Sequence, residues 1–250
     1  MTRISSLIFL AAIVAGTSTS KPLAPEEITL SDVAKAGKAY FRDSAEFPMR
    51  ISTELTATNL SGRVRKHKSA TFKYDFHGYN QRSANGTVTL HGPKAMMKAA
   101  FGAVTSCMAP VSFLSPSAEK KYAFEITEQG ADFVSARLSH VDKCEPSRWM
   151  PDFDALNPMC GSFEVQLQRD DLALKHYIFD AANLPVSADI DPFGPATIST
   201  YHAEVEFQKV FLPDDPKPFL IPKRVTVIIE TDKGKLTISS NYVPDLPPQK

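Results

Sequence analysis

Apolar and polar residues alternate over most of the chain's length. Between Phe47 and Leu60, Ile51, Thr53, Leu55 and Ala57 share one parity and Arg50, Ser52, Glu54 and Thr56 the other. Phe72, Tyr74 and Phe76 repeat the pattern within Arg63–His77, and Phe163, Val165 and Leu167 repeat it again. Later in the chain come Ala203, Val205 and Phe207, then Val225, Val227 and Ile229, then Leu236, Ile238 and Tyr242. A period of two is the mark of strands with one buried and one wet face. Asp232-Lys233-Gly234-Lys235 suits a hairpin turn with Gly234 at a positive φ, so residues 223–243 are expected to form a hairpin. Lys121–Thr127 and Phe133–His140 are expected to form another around Gln129-Gly130. Leu172–Phe179 is apolar on both parities, which predicts cover on both faces. The phase breaks at Lys209–Leu212, where a bulge is expected.

A period near 3.6 appears twice. Ser31–Phe41 is read as a helix with Ser31 as N-cap. Pro93–Val104 is read as a second helix, with Pro93 at its first position and Met96, Met97, Ala100, Phe101 and Val104 along one face. Arg82–Leu90 is a further candidate strand. Asn183–Thr197 is expected to be a loop, and the proline-laced Leu212–Pro222 a semi-rigid loop or an edge segment, since proline cannot donate to a central ladder. The expected class is therefore mainly β with a few helices (α+β): a curled antiparallel sheet or half-barrel with helices over one face.

Met1–Ser20 changes the setting. A positive start with Arg3, the apolar run Leu7–Val14 and a small-residue tail describe a secretory signal peptide, too short to span a bilayer. The expected organisation is a signal peptide at 1–20, a linker and helix at 21–46, one antiparallel β domain at 47–243 and a tail at 244–250. A periplasmic or extracellular location follows, with no transmembrane segment in the mature chain. In such a compartment two of Cys107, Cys144 and Cys160 should pair. Cys144–Cys160 is the expected bridge because both flank one irregular segment, though pairings with Cys107 stay open. A metal site drawn from His140, Cys144 and Cys160 is outweighed by that disulfide.

Charge and motifs narrow the function. The chain has 28 basic and 28 acidic residues, a balance that argues against nucleic-acid binding. The basic run Arg63–Lys68 reads as a solvated or edge-protecting strand end. No G-x-S-x-G, H-E-x-x-H or glycine-rich phosphate loop occurs. The pairs Asp152/Asp154, Asp170/Asp171, Asp189/Asp191 and Asp214/Asp215 fall in predicted turns, where aspartate is common for local reasons. No catalytic residue, metal ligand or cofactor is assigned. The remaining signal is apolar: Met96, Met97, Phe101, Val104, Tyr177, Phe179 and Phe219 are the candidate ligand-binding residues, since flexible methionines and aromatics suit apolar ligands. The partner expected is an apolar small molecule, a lipid or a lipidated protein.

The order of elements, together with Gly161–Leu167 and its return strand Leu172–Phe179 and the closing Arg224–Tyr242, resembles the periplasmic lipoprotein-carrier group (LolA/LolB-like proteins). The resemblance implies a curled antiparallel sheet whose helices close a hydrophobic cavity for acyl chains. It carries no functional residue across. The reading is a secreted, non-enzymatic binding protein for an apolar ligand or lipidated partner. The alternatives are an envelope assembly protein with an exposed patch around Pro218–Ile221 and a secreted hydrolase.

Overall fold

The computed structural model describes residues 28–41, 47–76, 120, 122–141, 161–212 and 215–246. One helix and nine strands lie in this part: α1 (Leu30–Tyr40), β1 (Phe47–Asn59), β2 (Val64–Phe76), β3 (Tyr122–Gln129), β4 (Phe133–His140), β5 (Ser162–Gln168), β6 (Leu174–Ile190), β7 (Gly194–Leu212), β8 (Asp215–Thr231) and β9 (Gly234–Pro244). The strands form a single antiparallel sheet in the order β2-β1-β9-β8-β7-β6-β5-β4-β3. β2 and β3 are its two edges, so the sheet is curled but unclosed.

Alternation along each strand becomes one buried and one wet face of the sheet. Met49, Ile51, Leu55 and Ala57 on β1, Leu236 and Ile238 on β9, Val225 and Val227 on β8, Ala203 and Val205 on β7 and Phe163 and Val165 on β5 are all buried on the inner face. The outer face carries cross-strand ion pairs such as Arg137–Glu164 at 2.8 Å, His176–Glu204 at 2.9 Å and His202–Asp180 at 2.6 Å. Such exposed pairs add little stability each, but they keep that face wet. The basic run lies on β2, an edge strand.

Curling shows in a contact across the sheet. Lys66 on β2 pairs with Asp191 in the β6–β7 turn. Three strands separate β2 from β7, and a flat sheet would hold them roughly 19 Å apart at the usual spacing. The sheet must bend toward its inner face for these side chains to meet.

Several expectations are met. The hairpin around Gly234 turns through Asp232 and Lys233, and Gly234 has φ 156°. A side chain there would collide with the Thr58 carbonyl of β1 and with the Phe193 ring. The β3–β4 pair matches the expected hairpin, and the phase break near Lys209 coincides with register shifts at Glu206/Phe207 and Val210/Leu212.

Other expectations are corrected. Of the two readings of Leu212–Pro222 the loop is corrected: most of the stretch is the first half of β8, with Phe219 opposite Val210 and Pro222 opposite Phe207. β9 pairs with β8 only from Arg224 onward. The proline-bearing half therefore pairs with β7 and lies beyond the β8–β9 ladder, so its prolines interrupt no bond of that ladder. Gln208 spans the divergence by donating to the Pro222 and Tyr242 carbonyls at 3.3 and 3.1 Å. Asn183–Thr197 is likewise strand: β6 and β7 run through it as a long hairpin, with the ladder passing from Ala182 to Val186.

Leu172–Phe179 is not covered on both faces. The register shift beside Leu174 puts Leu174 on the same buried face as Tyr177 and Phe179, leaving Ile178 half-buried among outer-face polar groups. The helix begins one residue earlier than expected, and Thr29 rather than Ser31 caps it. Asp32 N–H donates to Thr29 Oγ1 at 3.3 Å, and Thr29 N–H donates to Asp32 Oδ2 at 3.0 Å. This is a reciprocal capping box. Its hydrogen bonds hold the Asp32 carboxyl below the usual range, the Thr29 side chain contributing most.

Candidate functional site

The inner face is the feature with functional potential. At its centre an aromatic ridge crosses four strands. Tyr122 meets Phe163 at 6.2 Å, Phe163 meets Phe179 at 4.8 Å and Tyr177 at 6.1 Å, and Tyr177 meets Phe207 at 6.0 Å. Phe179 also touches Tyr201 at 6.3 Å. Edge-to-face and tilted pairs of this kind add to the burial energy and rigidify the surface. The ridge contains Tyr177 and Phe179, two of the residues singled out from the sequence. Phe219 also lies in the sheet, at 0% exposure, beside Leu220 at 2% and Ile221 at 0%. The exposed patch expected around Pro218–Ile221 is therefore replaced by core at Phe219, Leu220 and Ile221. Met96, Met97, Phe101 and Val104 lie outside the described residues, as do the cavity expected beneath them and all three cysteines.

Both ends of the inner face are bounded. At one end α1 packs against β8, burying Leu30, Val33, Ala34 and Gly37, and Phe41 stands edge-on to Phe207 at 5.6 Å. A polar clamp fixes α1 there. Asp171, in the β5–β6 turn, accepts hydrogen bonds from the Tyr40 hydroxyl, from Lys209 Nζ at 2.6 Å and from Ala173 N–H at 3.0 Å. Lys209 also donates to Gln168 Oε1 at 3.0 Å and sits 5.6 Å from the centre of the Tyr40 ring. Burial pushes the Asp171 carboxyl up, but the hydrogen bonds from Lys209, Tyr40 and Ala173 outweigh it and hold it below the usual carboxylate range. Burial, reinforced by Asp171, pushes the Tyr40 phenol well up. Asp170/Asp171 thus reads as a turn in the sequence, while the fold makes one of the two an anchor.

At the other end the β6–β7 turn folds inward. Ile190 is buried, Phe193 packs against the core, and Lys233 donates to the Phe193 and Pro195 carbonyls. Beside this turn a notch of about 250 Å³ opens between Asn59, Arg65, Pro192, Phe193 and Lys233. It is a mixed polar surface feature and not the apolar cavity expected from the sequence.

One polar pair interrupts the apolar floor. Thr53 on β1 and Ser240 on β9 face each other, with hydroxyls 2.8 Å apart. They are 2% and 0% exposed. Neither was a candidate in the sequence: Thr53 shares the parity of Ile51 and Leu55, and Ser240 that of Ile238 and Tyr242, but a single small hydroxyl on an apolar parity carries no chemical pattern until its partner is known. Among the described residues no group of three or more His, Cys, Asp or Glu could hold a metal ion. No described helix is long and apolar enough to cross a membrane.

The chain is thus a mainly antiparallel protein whose single open sheet presents one apolar inner face. No family model and no curated protein matches it. Among solved structures it is similar to a LolA superfamily protein from Nitrosomonas europaea, at 8% identity and a TM-score of 0.35, covering 89% of this chain and 96% of that one. It is similar also to a domain from Vibrio parahaemolyticus described as an outer membrane lipoprotein-sorting protein, at 7% identity and a TM-score of 0.35, covering 88% and 94%. At this level of superposition no functional statement below rests on either.

Proposed function

We propose that this is a secreted, periplasmic, non-enzymatic carrier that holds an apolar ligand, or the lipid part of a modified partner, against the inner face of its sheet. The observation behind this reading is a mismatch of sizes. The buried apolar face runs from Phe72 on β2 to Tyr122 on β3, whereas α1 has 11 residues and sits at one end. A face of that extent needs further apolar cover. Residues 77–121 join β2 to β3 in the sequence and carry Met96, Met97, Phe101 and Val104. We assign these, with Tyr177, Phe179 and Phe219, to the ligand-binding region. The signal-like Met1–Ser20 supports export, and a Cys144–Cys160 bridge suits an oxidising compartment.

The test is native mass spectrometry of the full chain expressed in bacteria and purified from the envelope fraction. A one-to-one adduct with the mass of a lipid or acylated species is the expected result. A bare chain that also fails to take up the apolar dye N-phenyl-1-naphthylamine would overturn the carrier reading.

A further inference from the structure

We propose that the inner face contains an anchoring point for the head of a long-chain carboxylate, formed by Thr53, Ser240 and Lys68; this rests on the carrier reading above and names the ligand class. Two hydroxyls bring two O–H donors. In the Thr53–Ser240 pair one donates to the other, which leaves one donor over. Among the described residues no other hydrogen-bond partner meets either oxygen. Both side chains are almost fully buried, and a buried O–H without an acceptor is a persistent cost that folded proteins seldom leave standing. The adjacent inner-face side chains are Ile51 and Leu55 on β1, Ile238 and Tyr242 on β9, and Val225 and Val227 on β8, and none of them bonds either hydroxyl. The missing acceptor therefore has to come from beyond the sheet.

Lys68 supplies the sign of the charge. In the β1–β2 register Thr53 lies opposite Ala70 and Leu55 opposite Lys68. Lys68 thus shares the inner face with Phe72 and Ala70, one diagonal step of about 7–8 Å from Thr53. It is partly buried. The neighbouring inner-face Lys66 is held by Asp191, while Lys68 has no ion pair or hydrogen bond among the described residues. The nearest carboxylate on β1, Glu54, is on the outer face, where it pairs with His67 at 3.5 Å. Among the described residues this corner therefore offers one free donor and one free cation with no anion beside them, next to a long apolar floor. Its chemical complement is an acceptor-only, negatively charged head on a hydrocarbon chain. An ester would satisfy the hydroxyl but not the lysine, and an alkane would satisfy neither.

The experiment uses the full chain loaded with N-phenyl-1-naphthylamine and measures displacement by hexadecanoate, methyl hexadecanoate and hexadecane. Wild type is expected to prefer the acid to the ester and the ester to the alkane, each by about tenfold. Thr53→Val with Ser240→Ala should erase the preference of ester over alkane. Ser240→Thr, which keeps the hydroxyl, should retain it, and Lys68→Met should erase the preference of acid over ester. Circular dichroism establishes that each variant is folded. If the dye binds but wild type takes the three probes alike, or the variants keep the wild-type ranking, the anchor is wrong and the carrier reading stands. If neither dye nor any probe binds, the carrier reading itself fails.

Discussion

Asp171 shows how much one side chain in a turn can organise. Its carboxylate gathers the Tyr40 hydroxyl, the Lys209 ammonium and the Ala173 amide, tying α1 to β7 and to the β5–β6 turn. The neighbouring Leu172 accepts φ 54°, an unusual backbone for a leucine, and is buried in that conformation. Because the folded carboxyl titrates below the ordinary value of 3.8, its stabilising contribution is complete above that value and is lost as pH falls through the folded one. Asp171→Asn should therefore cost about 2 kcal/mol at neutral pH. The gap between variant and wild type should close as pH drops below about 4. Urea unfolding at a series of pH values checks this. A gap that persists unchanged at low pH would mean that the carboxylate charge is not what holds the clamp.

At the scale of elements, β8 is the instructive case. Its prolines argue locally for a loop, and its Phe219-Leu220-Ile221 run reads as a greasy surface segment. Both impressions change once β7 lies alongside and the prolines fall beyond the β8–β9 ladder. Phe219→Ser with Ile221→Ser should then abolish folding rather than trim a surface. Two fully buried large residues removed together cost at least about 5 kcal/mol, comparable to the whole stability of many domains. Loss of the cooperative thermal transition is the expected readout, and a double variant that melts like wild type would place these residues outside the core. α1 gives the smaller lesson. The apolar spacing located the helix to within a residue. The sequence reading puts the N-cap at Ser31, whereas the backbone geometry puts it at Thr29, whose box with Asp32 starts the helix.

For the whole molecule, the decisive arrangement is that β9 lies between β1 and β8. In the ladder of the described sheet, the N-terminal hairpin β1–β2 joins the long meander through that last strand. A chain ending at residue 231 should consequently lose cooperative folding altogether, since two long strands would become open edges. Tryptophan fluorescence and circular dichroism through thermal unfolding would test this, and a truncated chain with a native-like transition would contradict it.

Much of this was legible in the chain itself. Alternation over β1, β5, β7, β8 and β9 defines strands with one apolar face, because the side chains of a strand point alternately to its two sides. Gly234 marks its turn because the local backbone calls for it. Pairing is a different matter. That β9 inserts beside β1, that Pro222 lies opposite Phe207, that Asp171 meets Tyr40 from 131 residues away and that Thr53 finds Ser240 all depend on contacts between residues distant in sequence. Alternation says which face a residue takes but not which strand lies beside it, since every strand here offers the same apolar face to its neighbours. Only the assembled sheet chose among those pairings, and with them the clamp, the curl and the polar corner of the floor.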